Sequence, residues 1–236
     1  MRGCFVTGTD TGAGKTVLAA AVVAAARARG VAVRPLKPII TGLEEPPRPQ
    51  WPADHELLAR AAGGHADEVA LLRYGPPVSP HLAAELAGRP IDTGALERQV
   101  VATASGAELL VVEGVGGLLV PLADGYDVRR LAVALGMPVL IAARPGLGTI
   151  NHTLLTLEAA RAVGLEVTAV VLTPWPDSPG VIEISNRATI GLLGAVAVEV
   201  LPGIERADPG LLAEAGESLP IEWWLSRWRA SDRSGE

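Results

Sequence analysis

The sequence predicts a single α/β domain, a mostly parallel sheet with helices on both faces. Three observations carry that expectation. Short β-branched apolar runs recur along the chain, and most lead through a Gly-rich turn into a stretch of helical periodicity. The runs are nearly continuously apolar, the pattern of strands covered on both faces. Hydrophobic residues make up 49% of the 236 and charged residues 19%, enough apolar side chain for a sizeable core and too little charge for disorder.

The first strand is expected at residues 2–7, leading into a helix over 16–29. A second strand at 31–36 is followed by a Pro-rich stretch and a helix over 54–62. Helical periodicity at 93–104 precedes a strand at 109–112, and a helix over 128–135 precedes a strand at 138–143. The helix at 150–163 leads to strands at 166–172 and 195–200. Segments 40–53, with four prolines, and 73–80, with three, read as loops at the ligand end. Neither divides the chain into parts that could each form a core, so one domain is expected over residues 1–230, with a polar tail at 231–236. No repeat or low-complexity tract is present.

Composition narrows the function. A net charge of −6 with no basic patch argues against a nucleic-acid partner. A single cysteine, Cys4, excludes a disulfide framework and a multi-thiolate metal site. His55, His65, His81 and His152 match no metal-ligand spacing. The longest apolar run, residues 17–26, is half of what a spanning helix needs. A cytoplasmic protein without a membrane partner is therefore expected. Of the 20 basic residues only Lys15 and Lys37 are lysines. A chain that uses Arg almost everywhere and keeps Lys twice needs a compact point charge at those two places.

Lys15 lies in Gly8-Thr9-Asp10-Thr11-Gly12-Ala13-Gly14-Lys15-Thr16, between the first strand and its helix. Glycines let backbone N–H groups turn towards a polyphosphate, and the helix N-terminus adds partial positive charge. Lys15 would reach the outer phosphates and the Thr16 hydroxyl would bind Mg²⁺. The usual spacing puts the first glycine at position 9; here it stands one residue earlier. This is a nucleotide site of the P-loop type. Mg²⁺ beside a nucleotide needs further oxygen ligands, and Glu113, closing an apolar strand, is the first candidate. Asp54 is the second, although an Asp at a helix start also serves as a cap. Lys37 follows the second strand and Thr41 offers a hydroxyl four residues on. In the loop 146–152, Thr149 and Asn151 read either as caps or as ligand contacts.

Together these blocks resemble the dethiobiotin synthetase family: the phosphate loop, Lys37-Pro38 with Thr41-Gly42, Ser79-Pro80-His81, Val112-Glu113-Gly114 with Gly116-Gly117, and Leu147-Gly148 with Asn151-His152. The similarity runs over roughly residues 3 to 200. It implies a Mg²⁺-dependent homodimer that carboxylates 7,8-diaminononanoate with CO₂ and a nucleoside triphosphate, closing the ureido ring of dethiobiotin. It implies Lys37 and Lys15 as catalytic residues, and Thr16, Asp54 and Glu113 on the metal. Residues Gly12, Ala13, Gly14, Lys15, Thr16 and Val17 would bind the phosphates, with Gly114, Val115 and Gly116 beside the nucleotide. Thr11 and Thr41 would lie near the diamine, and Leu147, Gly148 and Asn151 would reach it across the dimer interface.

Two departures from the family pattern bear on this. Val115 replaces the usual Ala in the Glu-Gly-Ala-Gly-Gly block and crowds that loop. The Asn-Asp pair that reads adenine in many members is replaced by Thr173-Pro174-Trp175-Pro176. Base contacts then fall to main-chain groups around Thr173 and at Pro202, Gly203 and Ile204, leaving ATP, CTP or another triphosphate as co-substrate. The alternatives are a MinD-type partitioning ATPase and the cobyrinate-amidating enzymes. The first usually has a further Lys near the start of the loop, where Asp10 and Thr11 stand here. The second generally carries a glutaminase domain for which this chain is short.

Overall fold

The computed structural model describes residues 2–45 and 51–230. The expected tail at 231–236 and part of the Pro-rich loop, 46–50, lie outside the described residues. Seven strands form one parallel sheet: β1 (Gly3–Gly8), β2 (Val33–Ile40), β3 (Ala70–Arg73), β4 (Leu109–Glu113), β7 (Val139–Ala143), β8 (Val167–Trp175) and β9 (Val198–Pro202). A small antiparallel pair, β5 (Pro121–Ala123) and β6 (Tyr126–Asp127), stands apart from them. The order across the sheet is β3-β2-β4-β1-β7-β8-β9, which puts β1 at the centre. The helices are α1 (Lys15–Ala28), α2 (Asp54–Ala62), α3 (Pro80–Leu86), α4 (Thr93–Thr103), α5 (Val128–Leu135), α6 (Thr149–Arg161), α7 (Val181–Gly194), α8 (Pro209–Gly216) and α9 (Ile221–Ala230).

The two-residue period of β1 divides the core. Cys4 and Val6 face α1, α2, α8 and α9, while Phe5 faces the layer containing α4, α5 and α6. The first layer is built from small side chains: residues 19–21 and 24–26 of α1 are all Ala, and seven-tenths of that helix is buried. With no bulk of its own, α1 lets α8 approach closely. A Cβ on Gly216 would lie 2.7 Å from the Ala21 carbonyl oxygen, so only glycine fits there. Trp224 and Trp228 of α9 supply the volume the alanines lack, with ring centroids 5.7 Å apart.

Several expectations are revised. β2 runs to Ile40, so Lys37 lies inside a strand rather than beyond its end. Its two prolines are tolerated for a geometric reason. Pro35 precedes the first β2–β3 pair, Lys37 with Ala70, and Pro38 follows the last β2–β4 pair, Leu36 with Val112. Neither removes a donor from a completed ladder. The 73–80 loop begins in strand β3 and ends in α3, and its backbone pairs with the loop after β2 through Leu43 N–H to Tyr74 O and Gly42 N–H to Pro76 O. Helices α3, α7, α8 and α9 lie where no helix was expected.

Candidate functional site

The carboxyl ends of β1, β2 and β4, three adjacent strands, bring the phosphate loop, Lys37 and Glu113 together, as parallel sheets bring ligand groups to that edge. Gly8 closes β1 opposite Ala142, and Thr9 N–H continues the ladder to the Ala142 carbonyl at 3.0 Å. The early glycine has a packing reason. A Cβ on Gly8 would lie 2.9 Å from Cγ of Lys15, so its absence makes room for the lysine stem. Gly12 and Gly14 both hold positive φ, 70° and 91°, which lets the loop wind into α1 without a side-chain cap. The first N–H groups of α1 are thus left for a ligand.

Lys15 is buried, and its Nζ donates to the Asp10 carbonyl at 2.8 Å across the mouth of the loop. Burial lowers its pKa from the ordinary lysine value, with Glu113 opposing. Lys37 is buried more deeply and donates to Glu113 Oε1 at 2.7 Å and to Asp54 Oδ2. Burial alone would discharge it, but Glu113 and Asp54 more than offset that and hold its ammonium above the usual lysine range. Thr16 Oγ1 donates to the same Glu113 oxygen at 2.8 Å. Asp54, partly exposed at the start of α2, has its carboxyl pKa lowered; burial would raise it, and Lys37 and Thr16 outweigh that. The five expected residues Lys15, Thr16, Lys37, Asp54 and Glu113 therefore form one charged cluster.

That cluster fits Mg²⁺. Glu113 Oε2 is buried without a hydrogen-bond partner, an orphaned anionic oxygen beside Thr16 and Asp54. Among the described residues no group of three or more His, Cys, Asp or Glu side chains exists that could hold a metal. Two carboxylates and a hydroxyl are the partial oxygen set that Mg²⁺ accepts when phosphates and water complete its shell.

Around the cluster the other expected residues divide. Gly114 is buried, where a Cβ would lie 3.0 Å from Val128 and 3.1 Å from Phe5. Val115 and Gly116 follow β4, and Val115 is partly buried against the core layer that contains Phe5. Thr173 is buried, and its methyl group packs where a Cβ on Gly14 would be, so it supports the phosphate loop from behind. Thr173, Pro174 and Trp175 lie within β8 rather than in a loop after it; Trp175 pairs with Pro202 at the end of β9, and Gly203 N–H donates to the Trp175 carbonyl at 3.2 Å. Thr41 is half-buried just past β2. Leu147, Gly148 and Asn151 are exposed at the start of α6, Leu147 at 97%, and do not join the buried cluster within this chain.

Two residues were not foreseen. Arg144, just past β7, donates from Nε to the Gly12 carbonyl at 3.2 Å and from Nη2 to the Thr11 carbonyl at 3.4 Å. Its place after a strand flanking the phosphate loop was a usable signal. Asn186 of α7 donates to the Pro145 and Gly146 carbonyls at 2.8 and 3.0 Å. It had no signal, because α7 itself was not read.

A family model described as "AAA domain" matches residues 2–206. An ATP-dependent dethiobiotin synthetase BioD from Anaeromyxobacter sp. (strain Fw109-5) is 48% identical over 73% of this chain and 76% of its own. The protein of that name from Mycobacterium avium (strain 104) is 44% identical over 84% of this chain and 85% of its own. That from Rhodococcus jostii (strain RHA1) is 41% identical over 96% of each. Among solved structures, the chain is similar to the signal recognition particle receptor FtsY from Elizabethkingia anophelis, with a TM-score of 0.50 and 13% identity over 91% of this chain and 65% of that one. It is also similar to apo McdA from Cyanthece, with a TM-score of 0.50 and 12% identity over 97% and 96%. These last two likenesses are of fold alone.

Proposed function

The chain belongs to the ATP-dependent dethiobiotin synthetase family, and from that premise we propose that it carboxylates 7,8-diaminononanoate with CO₂ and closes the ureido ring at the expense of a nucleoside triphosphate. The observation that carries this reading at the level of residues is the cluster of Lys37, Glu113, Asp54 and Thr16 against the phosphate loop.

One neutral amine of the substrate takes up CO₂ as a carbamate, losing a proton. A carbamate oxygen then displaces the nucleoside diphosphate from the γ-phosphorus. The second amine attacks the carbamic-phosphoric anhydride carbon, and inorganic phosphate leaves as the ring closes. No protein nucleophile is required, so the work is positioning and charge stabilisation. The N–H groups of Gly12 to Val17 and the Lys15 ammonium hold the phosphates. Lys37, kept charged in a buried site, faces the carbamate and the migrating phosphoryl group, where a preorganised cation acts most strongly. Thr16, Asp54 and Glu113 would hold Mg²⁺, which supplies charge neutralisation to the phosphate oxygens when bound.

The diamine would lie between this cluster and Leu147, Gly148 and Asn151 of a second copy. Apolar side chains at 50–97% exposure on α6, on α7 and in the loop before α6, among them Leu147, Leu155, Ile182 and Ile184, support a homodimer through this face. No helix among the described residues is long and apolar enough to cross a membrane, and we assign the enzyme to the cytoplasm. Base recognition by main-chain groups near Trp175 and Pro202-Gly203-Ile204 suits the exocyclic amino group that adenine and cytosine share, so both ATP and CTP are assigned as co-substrates. The test is phosphate release. It should require diamine, CO₂ and Mg²⁺ together and yield dethiobiotin in equal amount; release without the diamine overturns the reading.

A further inference from the structure

The segment from Arg144 to Gly148 links β7 to the start of α6 beside the phosphate loop, and little packing holds it. Leu147 is 97% exposed, and a Cβ built on Gly146 or Gly148 would meet nothing within 4 Å. Gly148 has a φ of 89° and α6 starts without a side-chain cap. Two glycines in a loop without walls leave many conformations to choose from. Its upstream end is tied by Arg144 to the carbonyls of Thr11 and Gly12. Its middle is tied by Asn186, whose Nδ2 donates both of its protons, one to the Pro145 carbonyl and one to the Gly146 carbonyl. Gly146 O also accepts from Thr149 N–H at 3.3 Å, so Asn186 fixes the carbonyl on which the first turn of α6 closes.

Asn186 is buried, 7% exposed, on a helix whose other inward residues include Ile190. A side chain there for packing alone would be served by Leu. A buried amide is costly unless its donors are engaged, and both donors of Asn186 engage this one segment. We propose that Asn186 is a positioning residue for the diamine site. Through the Pro145 and Gly146 carbonyls it sets where Leu147, Gly148 and Asn151 present themselves to substrate. This rests on the reading that those three residues reach the diamine.

The test compares the full-length dimer of Asn186→Leu, Asn186→Asp and Asn186→Ser with Asn151→Ala, varying diamine at saturating Mg-ATP and the reverse. Asn186→Leu and Asn186→Asp should raise the KM for diamine about tenfold or more, equivalent to about 1.4 kcal/mol. The KM for ATP should stay within about twofold, and Asn186→Ser, which keeps one donor, should fall between wild type and Leu. Melting temperature and light scattering accompany each variant; if the Leu variant does not fold, the Ser variant carries the comparison. A diamine KM that stays at the wild-type value overturns the proposal, as does a parallel rise in both KM values or a variant that has become monomeric. If Asn151→Ala raises the diamine KM and no Asn186 variant does, only the positioning role falls. If Asn151→Ala also leaves it unchanged, the substrate-loop reading falls and takes this proposal with it.

Discussion

The two ends of the proposed site are built in opposite ways. At the phosphate end, Lys15, Lys37 and Glu113 are each 6% exposed or less and interlocked with Thr16 and Asp54 across β1, β2 and β4. At the α6 end, Leu147, Gly148 and Asn151 face solvent, and the backbone just before them, at Pro145 and Gly146, is held by hydrogen bonds from Asn186. The buried end is assembled within one chain; the exposed end is the one the proposed homodimer would cover. Charge stabilisation needs rigid, desolvated groups, so it belongs in the sheet. A diamine that must enter and leave would be better met by an open surface, which the proposed second copy would complete.

If the buried end acts by preorganised charge, Lys37→Arg should lose about 10²–10³-fold in kcat despite keeping the charge. The planar fork is bulkier and cannot seat in a pocket shaped for an ammonium held by Glu113 Oε1 and Asp54. Steady-state kinetics on the purified variant decide it, and near-native turnover would break the distinction between the two ends. The solvent-facing end is tested by complementation. Lys37→Ala and Asn151→Ala chains, assayed at a diamine concentration where each alone has little activity, should regain about one quarter of wild-type activity when mixed, because half of randomly assorted dimers hold one intact composite site. Full activity in a strictly monomeric preparation rules the composite site out.

A smaller effect is expected at the base. Equilibrium binding of ATP, CTP, GTP and UTP at fixed Mg²⁺ should show ATP and CTP within about tenfold of each other, a gap below about 1.4 kcal/mol. A larger preference for ATP over every other triphosphate would mean that side chains read the base after all. The smallest effect lies outside both regions. Arg29 grips Glu217 through two contacts of 2.5 Å on the surface, and the hydrogen bonds from Arg29 keep the glutamate's pKa below its ordinary value. Its stabilisation is therefore present above the unfolded-state pKa and is lost as pH falls through the folded-state one. Arg29→Ala should cost less than about 1 kcal/mol at neutral pH and nothing in strong acid, measured by urea unfolding.

The sequence made the buried end readable and the exposed end only partly so, for physical reasons. A phosphate loop, a strand-end glutamate and two surviving lysines are local signals, each needing only its neighbours. The six expected strands are present because buried parallel strands carry apolar runs, while β3 at the sheet edge, β5 and β6 were not read; the exit of β2 was misread because Pro35 and Pro38 mimic a terminus while sitting where one neighbouring ladder is absent. Helix α7 was missed because Val181-Ile182-Glu183-Ile184 has no helical spacing of apolar residues and a glycine, Gly180, stands where a polar cap would mark a helix start. Its N-terminus is held by Glu183 reaching back to Gly180 N–H at 2.8 Å, a contact that exists only once the helix has formed. Missing α7 meant missing Asn186. Helix α9 was hidden because its tryptophans find their role only against α1, some two hundred residues away.

That last contact orders events in time. The Ala-rich helix α1 is synthesised well before Leu212, Trp224 and Trp228, which form part of the layer that covers it. Until the ribosome has passed residue 228, this largely buried helix lacks part of its covering layer, and at about 5–20 residues per second that wait is on the order of ten to forty seconds. For that interval the side of α1 that α8 and α9 cover in the finished domain goes without that cover, transiently exposed apolar surface of the kind that chaperones meet.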